Sequence, residues 1–386
     1  MSGISSTLRA VVVDDTLLYR LIVSEAVAQL DGFDVVAKAE NGQKGLQLIR
    51  EHRPDLVLLD LEMPIMDGLT LLKTLKQELP DIVVIIISSI STPGGKATLD
   101  ALQAGAFDFI TKPAEQDASA SKAELRRQLE LKLATVRDRL TGGNGSKKLN
   151  GVQARPGSSA EMNPSSGERS VPKAHNGNEA AAASLNSCGR LARDAVKLRS
   201  FDVIGIGVST GGPKTLSGLI PNLGPGLPPI CMVQHMPGSF LTSLAERLNE
   251  QSALRVKEAE EGEKLARDTV YLAPGEVHMR IRSEGRAGYV ELRTDAPENH
   301  CRPAVDYLFR SLASGFGKRA LGAILTGMGA DGAAGLLEMR GAGAFTMAQD
   351  ESTSMVYGMP KQAVRMGAAA HQLPIDDIQE LLRSVH

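Results

Sequence analysis

The sequence predicts an α/β protein built from two doubly wound, parallel-sheet domains that are joined by a flexible linker. Short apolar runs alternate with helical patterns in both halves, which is the order that parallel sheets require. The chain has 386 residues, of which 42% are hydrophobic, and this exceeds one ordinary domain. Between the halves, residues 141–187 contain no aromatic residue and are rich in Gly, Ser, Asn, Ala and Pro. Such a stretch cannot bury enough apolar surface to offset the entropy of ordering it.

The first half contains five apolar runs that suit buried strands, with helical patterns between them. A last helix begins with a capping box, in which Ser121 and Glu124 satisfy the first backbone N–H groups. We therefore expect a first domain over residues 1–128, a helix and flexible low-complexity linker over residues 129–198, and a second domain over residues 199–386. The strand candidates of the first domain are Leu8–Val13, Phe33–Ala37, Asp55–Leu59, Ile82–Ile87 and Phe107–Ile110.

Polar side chains stand where these strands end. Asp14 and Asp15 follow the first strand and Asp60 the third. Ser88 follows the fourth strand and Lys112 the fifth. The carboxyl ends of parallel strands share one edge of the sheet, so we expect these five groups to meet there. Three carboxylates at close range repel one another unless a cation lies among them, and oxygen ligands of this kind suit Mg²⁺.

Residues 8–128 resemble the receiver domain of two-component response regulators, a flavodoxin-like fold, and the motif LVLLDLEMPIMDG carries much of the likeness. The resemblance implies that Asp60 is the phosphoacceptor and that a histidine kinase is the phosphodonor. It also implies a Mg²⁺ site that serves phosphorylation. Its ligands would be Asp14, Asp15, Asp60 and the backbone carbonyl of Glu62.

The same resemblance assigns a conformational switch. Ser88 matches the hydroxyl that turns toward the phosphoryl group, and Phe109 matches the aromatic side chain that moves with it. Lys112 matches the lysine whose charge the phosphoryl group needs. Any single polar residue at a strand end is as readily explained as a solvated loop residue. Five matching positions, in order and on one sheet edge, favour the receiver interpretation.

The second half opens with a buried-strand pattern, Phe201–Val208, followed by a glycine-rich turn. A dinucleotide-binding fingerprint is disfavoured, because Thr210 stands where G-x-G-x-x-G needs its third glycine. A phosphate-binding loop would need Gly-Lys-Ser/Thr, which this turn lacks. The segment from Gly207 to Gly211 does fit G-x-S-x-G, a sharp strand-to-helix turn that exposes a serine hydroxyl, here Ser209. A serine between glycines is also a common helix N-cap, so the motif alone leaves both interpretations open.

Two further polar residues follow later strands of this half. A nucleophilic serine needs an adjacent base that is itself oriented by a third group. His235 follows the strand Ile230–Val233. Asp331 lies in a glycine-rich loop after the strand Ala320–Leu325. In a parallel sheet both positions reach the edge that holds Ser209, and such triads are defined by geometry, not by chain order. Taken singly, the histidine is as readily a hydrogen-bonded residue at the edge of the core, and the aspartate a turn former.

Residues 202–386 resemble the catalytic domain of the chemotaxis protein-glutamate methylesterases, a Rossmann-like fold. The motifs GIGVSTGGPKTL, QHMPGSF and LTGMGADGAAGL carry the likeness. The resemblance implies Ser209 as nucleophile, His235 as general base and acid, and Asp331 as the group that orients the histidine. It also implies that the backbone N–H of Met328 lies in the oxyanion hole, and that this domain uses no cofactor.

The two resemblances together imply an enzyme of chemotaxis adaptation. Its second domain would hydrolyse glutamyl methyl esters on methyl-accepting chemoreceptors, releasing methanol, and would deamidate glutamine side chains of the same receptors. The unphosphorylated receiver would cover the catalytic edge, and phosphorylation would relieve this. Thr210 and Arg302 match positions beside the triad and near the entrance to the active site.

Composition argues against several other classes. No stretch reaches the ~18 uncharged apolar residues that span a bilayer, and we expect a cytoplasmic protein without membrane insertion. The net charge of −2 argues against a nucleic-acid partner, and so against a transcriptional regulator. Cys188, Cys231 and Cys301 are too few for a disulfide framework and are interpreted as reduced thiols. A nonenzymatic scaffold with a degenerate triad is the alternative that the sequence leaves open.

Overall fold

The computed structural model describes residues 7–89, 92–112, 118–141, 192, 194 and 196–385. Two parallel β-sheets, one of five strands and one of seven, are each flanked by helices. The predicted α/β class with two doubly wound parallel sheets is therefore confirmed. Residues 142–191, which make up most of the predicted linker, lie outside the described residues. Within the described part of the chain, no helix has the length and apolar character needed to cross a bilayer.

The first domain alternates strands and helices along the chain: β1 (Leu8–Val13), α1 (Leu17–Ala28), β2 (Phe33–Ala39), α2 (Gly42–His52), β3 (Leu56–Asp60), α3 (Gly68–Glu78), β4 (Val83–Ser88), α4 (Thr92–Gln103), β5 (Asp108–Thr111) and α5 (Ala118–Thr141). The strands lie in the order β2-β1-β3-β4-β5, and every neighbouring pair is parallel. Strand order reverses between β1 and β3, which opens a crevice at their carboxyl ends.

Helix α5 belongs to the core of the first domain. Leu125, Leu129, Leu133 and Val136 recur at the spacing of one helix face, and all four are buried. The predicted boundary after residue 128 falls within this helix. We therefore propose that the first domain extends to the end of α5.

The second domain, over residues 203–383, contains nine strands and six α-helices: β6 (Val203–Val208), α6 (Gly212–Leu219), β7 (Ile230–Gln234), α7 (Gly238–Gln251), β8 (Arg255–Glu258), β9 (Thr269–Leu272), β10 (His278–Glu284), β11 (Ala287–Arg293), α8 (Val305–Phe316), β12 (Ala320–Ile324), α9 (Ala333–Gly341), β13 (Phe345–Gln349), α10 (Met359–Arg365), β14 (His371–Leu373) and α11 (Ile375–Arg383). Seven of the strands form a parallel sheet in the order β14-β13-β12-β6-β7-β9-β8. Strands β10 and β11 pair separately as an antiparallel hairpin, which the sequence analysis did not predict.

Strand β6 lies at the switch point of the second sheet. The chain leaves β6 toward β7 on one side and later returns to β12 on its other side. Loops that leave the carboxyl ends of these strands diverge there and form a crevice, which is the usual ligand site of open parallel sheets. The topology therefore places the loops that carry Ser209, His235 and Asp331 around one crevice.

The first domain packs on the second through the side formed by α4, β5 and α5, which we call the docking face. Helix α4 packs against α6 and α7. Phe109 of β5 stacks on Phe240 of α7, with ring centroids 4.7 Å apart and 28° between the ring planes. Arg247 of α7 donates hydrogen bonds to Asp100 and Gln103 of α4. Aromatic stacking and charge pairing thus both hold the docking face on the second domain.

Leu129→Ala tests whether α5 is part of the first core. Leu129 is fully buried, whereas Leu131 of the same helix is 43% exposed. Deleting the buried side chain leaves a cavity, so we expect Leu129→Ala to lower the free energy of unfolding by about 2–5 kcal/mol. Leu131→Ala should change it by less than about 1 kcal/mol. Urea titrations followed by circular dichroism measure both, and equal losses would contradict this packing of α5.

Candidate functional site

Three carboxylates lie together at the carboxyl edge of the first sheet, where the sequence predicted them. Carboxylate oxygens of Asp14, Asp15 and Asp60 lie within 4.8 Å of one another. The ammonium of Lys112 is 2.7 Å from Oδ2 of Asp60 and 3.0 Å from Oδ2 of Asp14. The N–H of Glu62 lies 3.5 Å from Oδ1 of Asp60. The role of the Glu62 carbonyl as a metal ligand stays a prediction.

This acidic cluster carries more negative than positive charge. Burial raises the pKa of Asp60 to about 6, although Lys112 lowers it. Burial also raises the pKa of Asp14, again against the effect of Lys112. One ammonium leaves three carboxylates incompletely compensated. Oxygen ligands at this spacing therefore fit a Mg²⁺ ion, whose charge would relieve the repulsion.

The predicted switch residues contact other partners in this state. Ser88, at the end of β4, accepts a hydrogen bond of 2.6 Å from the hydroxyl of Thr98 in α4. Phe109 stacks on Phe240 of the second domain. Ser88 thus contacts α4 of the docking face, and Phe109 contacts the second domain directly. A rearrangement at the acidic cluster would therefore reach the interface between the two domains through few intervening contacts.

Ser209 lies on the sharp turn between β6 and α6 that the G-x-S-x-G motif predicted. Gly211 has a φ of +81°, a conformation that residues with a side chain rarely adopt. On the other side of the serine, a Cβ atom at Gly327 would lie 2.9 Å from Cβ of Ser209. The N–H of Ser209 donates to the carbonyl of Thr326 at 3.0 Å. Glycine at these two positions therefore lets the turn form and lets the loop after β12 close onto it.

His235 and Asp331 form a direct pair. Nε2 of His235, just after β7, lies 2.8 Å from Oδ2 of Asp331, in the loop after β12. The buried carboxylate also accepts hydrogen bonds from the N–H groups of Val305 at 2.7 Å and Asp306 at 3.1 Å. These two residues begin α8. The positive end of the helix dipole thus holds the carboxylate in its ionised form.

The contacts of this pair set its protonation. Burial alone raises the pKa of Asp331, but hydrogen bonds from His235 and from the backbone reverse the shift and lower it. Burial alone lowers the pKa of His235, but Asp331 and Cys301 outweigh burial and raise the pKa to about 10. The contacts in this docked form therefore favour the protonated imidazole, and His235 would have to lose a proton before it acts as the proposed base.

Ser209 and His235 follow neighbouring strands, because Val208 and Gln234 pair in register. The backbone N–H of His235 donates to the carbonyl of Val208 at 3.1 Å. Both side chains lie in the described part of the chain, and no hydrogen bond joins the Ser209 hydroxyl to the imidazole there. Since Nε2 is engaged with Asp331, Nδ1 is the ring nitrogen left for the serine, although the sulfur of Cys301 also lies 3.8 Å from it. The structure thus holds two of the predicted triad members in contact and the third on the adjacent turn.

Two polar side chains that the sequence analysis missed, the buried Gln234 and the exposed Asn299, connect these loops. Gln234 donates from Nε2 to the carbonyls of Ser209 at 3.1 Å and His235 at 3.0 Å. Asn299 donates to Oδ1 of Asp331 at 3.0 Å. The sequence held one signal of these contacts, a glutamine at the end of an apolar strand, because a buried amide needs hydrogen-bond partners. These contacts hold the serine and histidine loops at a fixed separation.

Three further predicted residues lie around the pair. The sulfur of Met328 is 2.8 Å from the hydroxyl of Thr135 in α5. The hydroxyl of Thr210 donates to Oδ2 of Asp108 in β5 at 2.9 Å. Arg302 donates instead to two backbone carbonyls just after β11, at 3.3 and 3.2 Å. Met328 and Thr210 therefore lie under the docking face, whereas Arg302 binds its own domain.

The fold and the two clusters define a response regulator whose receiver precedes an α/β enzyme domain. A model of the response regulator receiver domain matches residues 10–124, and the CheB methylesterase model matches residues 204–382. The protein-glutamate methylesterase/protein-glutamine glutaminase of Desulfotalea psychrophila is 38% identical over 98% of this chain and 98% of that protein. The Treponema pallidum protein of the same name is 36% identical over 97% of this chain and 96% of that protein. The chain therefore belongs to the protein-glutamate methylesterase/protein-glutamine glutaminase family.

Solved structures resemble the two domains separately. The Thermotoga maritima CheB methylesterase catalytic domain is 40% identical and covers 48% of this chain and 98% of that chain, with a TM-score of 0.46. The response regulator domain of Thermotoga maritima CheB is 29% identical and covers 36% of this chain and 99% of that chain, with a TM-score of 0.31.

Asp60→Asn tests the charge balance of the acidic cluster. The pKa of Asp60 in the folded protein is about 6, against an ordinary value of 3.8, so the folded protein binds this proton more tightly than the unfolded chain. The Asp60 carboxylate therefore lowers the free energy of unfolding as the pH rises from 3.8 to about 6. In chelator at about pH 7.5, we expect Asp60→Asn to exceed the parent in free energy of unfolding by about 1–3 kcal/mol. At about pH 4.5 the gain should be smaller.

Urea titrations at both pH values measure this difference. Asp34→Asn, which changes an exposed carboxylate on β2, is the control and should show neither the gain nor its pH dependence. Added Mg²⁺ should stabilise the parent more than Asp60→Asn and so narrow the gap. If the variant is no more stable than the parent at the higher pH, the proposed excess of negative charge is wrong.

Proposed function

We propose that this protein hydrolyses glutamyl methyl esters on methyl-accepting chemoreceptors and deamidates glutamine side chains of the same receptors, under control of receiver phosphorylation. The observation that carries the proposal is the pair formed by half-buried His235 and buried Asp331 beside the Ser209 turn. Relatives named protein-glutamate methylesterase/protein-glutamine glutaminase support this substrate class. The proposed phosphodonor is a chemotaxis histidine kinase, and the cytoplasm is the proposed compartment.

Ester cleavage begins at the serine. Neutral His235 accepts the proton of the Ser209 hydroxyl on Nδ1, while the serine oxygen bonds to the γ-carbonyl carbon of the substrate. The proton then passes from Nδ1 to the departing methoxy oxygen, and methanol leaves. Asp331 holds the imidazole through Nε2 and stabilises its positive charge during both transfers.

The backbone N–H of Met328 is the proposed donor to the oxyanion. Within the described part of the chain, this N–H has no hydrogen-bond acceptor, which supports its role as a free donor. Water activated by His235 next attacks the acyl-serine, and glutamate is released. A glutamine side chain would give the same acyl-enzyme with ammonia as the leaving group.

Contacts of the docking face support regulation by occlusion. Thr135 of α5 touches the Met328 side chain, and Asp108 of β5 binds the hydroxyl of Thr210, the neighbour of Ser209. The receiver therefore contacts both the Met328 side chain and the serine turn. The missing hydrogen bond between serine and histidine fits such an inhibited state.

Asp60 is the proposed phosphoacceptor. Asp14, Asp15 and Asp60 would hold Mg²⁺, which when bound offsets negative charge around the incoming phosphoryl group. Rotation of Ser88 toward that group would break its hydrogen bond to α4. Movement of Phe109 would break the aromatic stack on α7. Phosphorylation would thus disturb α4 and β5, two of the three elements of the docking face, and weaken their contact with the second domain.

Ser209→Ala and Asp331→Asn separate the nucleophile from the orienting group. Removing the nucleophile should reduce methanol release by about 10⁶-fold. Asp331→Asn should cost about 10⁴-fold, because the serine and the oxyanion donor remain while the imidazole loses its anion. Ser217→Ala, which changes a half-buried serine on α6, is the matched control and should keep its activity. Methanol release from methylated receptors is the measurement.

Three outcomes would count against this assignment. Full activity of Ser209→Ala would exclude it as the nucleophile. Equal losses in folded Ser209→Ala and Asp331→Asn proteins would give Asp331 a role beyond orientation. A folded parent protein without activity on methylated receptors would indicate a nonenzymatic scaffold.

Arg247→Ala tests occlusion by weakening the docking face. The variant removes the hydrogen bonds to Asp100 and Gln103, so more of the protein should be undocked. Activity without phosphorylation should rise by about two- to fivefold. A small phosphodonor should then add less activity than it adds to the parent. Arg255→Ala, which removes an exposed arginine from β8, is the matched control.

A shorter protein that begins at Val196 extends the same test. It lacks the receiver and should be more active than the unphosphorylated full-length protein. Initial rates of parent, variant and shorter protein, each with and without phosphodonor, decide between two modes of regulation. Equal rates throughout would mean that the receiver acts by recruitment and not by occlusion.

A further inference from the structure

The thiol of Cys301 lies next to the proposed catalytic base, and ester hydrolysis makes no use of it. Its sulfur is 3.8 Å from Nδ1 of His235. One ligand atom each from Cys301, His235 and Asp331 lie within 4.8 Å of one another. Cys301 is only partly buried, so a small solute reaches it without unfolding of the domain. Sulfur, nitrogen and oxygen donors from three separate loops thus converge on one point.

A tight turn fixes the position of this thiol. Glu298 and Cys301 exchange two backbone hydrogen bonds, of 3.0 and 2.8 Å. Between them, Asn299 and His300 have φ values of 50° and 63°, the pattern of a type I′ turn. The Asn299 side chain also donates to Asp331 at 3.0 Å. The turn is therefore anchored to the same carboxylate that orients the histidine.

We propose that Cys301 and His235 form a binding site for Zn²⁺ and that the bound ion inhibits the esterase reversibly. Binding rests on the geometry of the two side chains. Inhibition rests in addition on the proposed function, because it requires His235 to be the catalytic base.

The spacing of the donor atoms fits zinc. Zn–S and Zn–N bonds of about 2.3 and 2.0–2.1 Å, at a tetrahedral angle, place sulfur and nitrogen about 3.6 Å apart. The observed distance from Sγ of Cys301 to Nδ1 of His235 is 3.8 Å. Asp331 occupies the other ring nitrogen at 2.8 Å, which is how carboxylates orient histidines that bind metal. Water would fill the remaining positions around the ion.

Binding would remove the lone pair that ester hydrolysis needs. The thiol proton and any proton on Nδ1 pass to solvent, and sulfur and nitrogen each donate an electron pair to the ion. No electron is transferred, so chelation reverses the process. While the ion is bound, Nδ1 of His235 cannot accept the proton of Ser209.

The pair differs from the other candidate ligands of the chain. The acidic cluster of the receiver offers oxygen atoms, which suit Mg²⁺, whereas a thiolate with an imidazole selects softer ions such as Zn²⁺. Cys231 lies fully buried in β7, and burial raises the pKa of its thiol. That second thiol therefore stays protonated and out of reach of the ion.

Cobalt binding tests the site directly. Full-length protein in excess Mg²⁺ is titrated with Co²⁺, and we expect a thiolate-to-cobalt charge-transfer band that saturates at one ion per chain. Zn²⁺ should displace the cobalt and remove the band. Cys301→Ala should abolish it, whereas Cys188→Ser, which removes a different thiol, should keep it. Asp331→Asn should weaken binding by about 10–100-fold. Circular dichroism checks that each variant is folded.

Enzyme assays then test inhibition as the ratio of rates with and without Zn²⁺. At a concentration about ten times the Kd, the parent rate should fall about tenfold and recover with chelator. The ratio should stay near one for Cys301→Ala.

Two results would overturn the proposal. The site is wrong if the parent shows no charge-transfer band or if the band survives Cys301→Ala. Inhibition through this site is wrong if Zn²⁺ inhibits Cys301→Ala as strongly as the parent. A parent that gives the band but has no esterase activity would refute the proposed function and leave the metal site standing.

Discussion

The hydrogen bond between His235 and Asp331 is the contact on which the geometry of the second domain's crevice depends. It joins the loops after β7 and β12, two strands that pair with β6 but not with each other. The N–H groups at the start of α8 keep the carboxylate ionised although it is buried. A buried carboxylate without such partners would take up a proton and release the imidazole. The Asp331 side chain thus both joins the two loops and holds the imidazole of His235.

Contacts of moderate strength join the two domains. Strand β5 supplies both the Phe109 ring that stacks on α7 and the carboxylate of Asp108, which binds Thr210 and Lys132. Polar contacts that are partly open to water are worth about 1 kcal/mol each. A covalent link between the domains keeps their effective concentration high, so a few such contacts suffice for docking. Contacts of this modest strength are what the proposed release of the docked receiver by one phosphoryl group requires.

Sequence patterns were sufficient for the five strands of the first sheet and for β6, β7 and β12 of the second, because strands buried on both faces leave continuous apolar runs with polar residues at their ends. The other four strands of the second sheet were not predicted. The first-domain boundary was harder to place, since the buried face of α5 continues past residue 128. The β10–β11 hairpin was missed because outward-facing polar residues interrupt its apolar pattern. Contacts between distant segments, such as Phe109 with Phe240 or Cys301 with His235, leave no local pattern. They arise only when the loops are assembled.

The hydrogen bond from Thr210 to Asp108 would affect both the activity of the unphosphorylated protein and its response to phosphorylation. It joins the receiver to the neighbour of the proposed nucleophile. If the receiver acts by the proposed occlusion, a tighter contact would lower the activity of the unphosphorylated enzyme and raise the phosphorylation needed for a response. A looser contact would do the reverse. Because each 1.4 kcal/mol changes a population ratio about tenfold, one interface substitution can cover much of the useful range. Under the proposed occlusion, the response of the enzyme to phosphorylation would therefore evolve without any change to the proposed phosphoacceptor or the proposed triad.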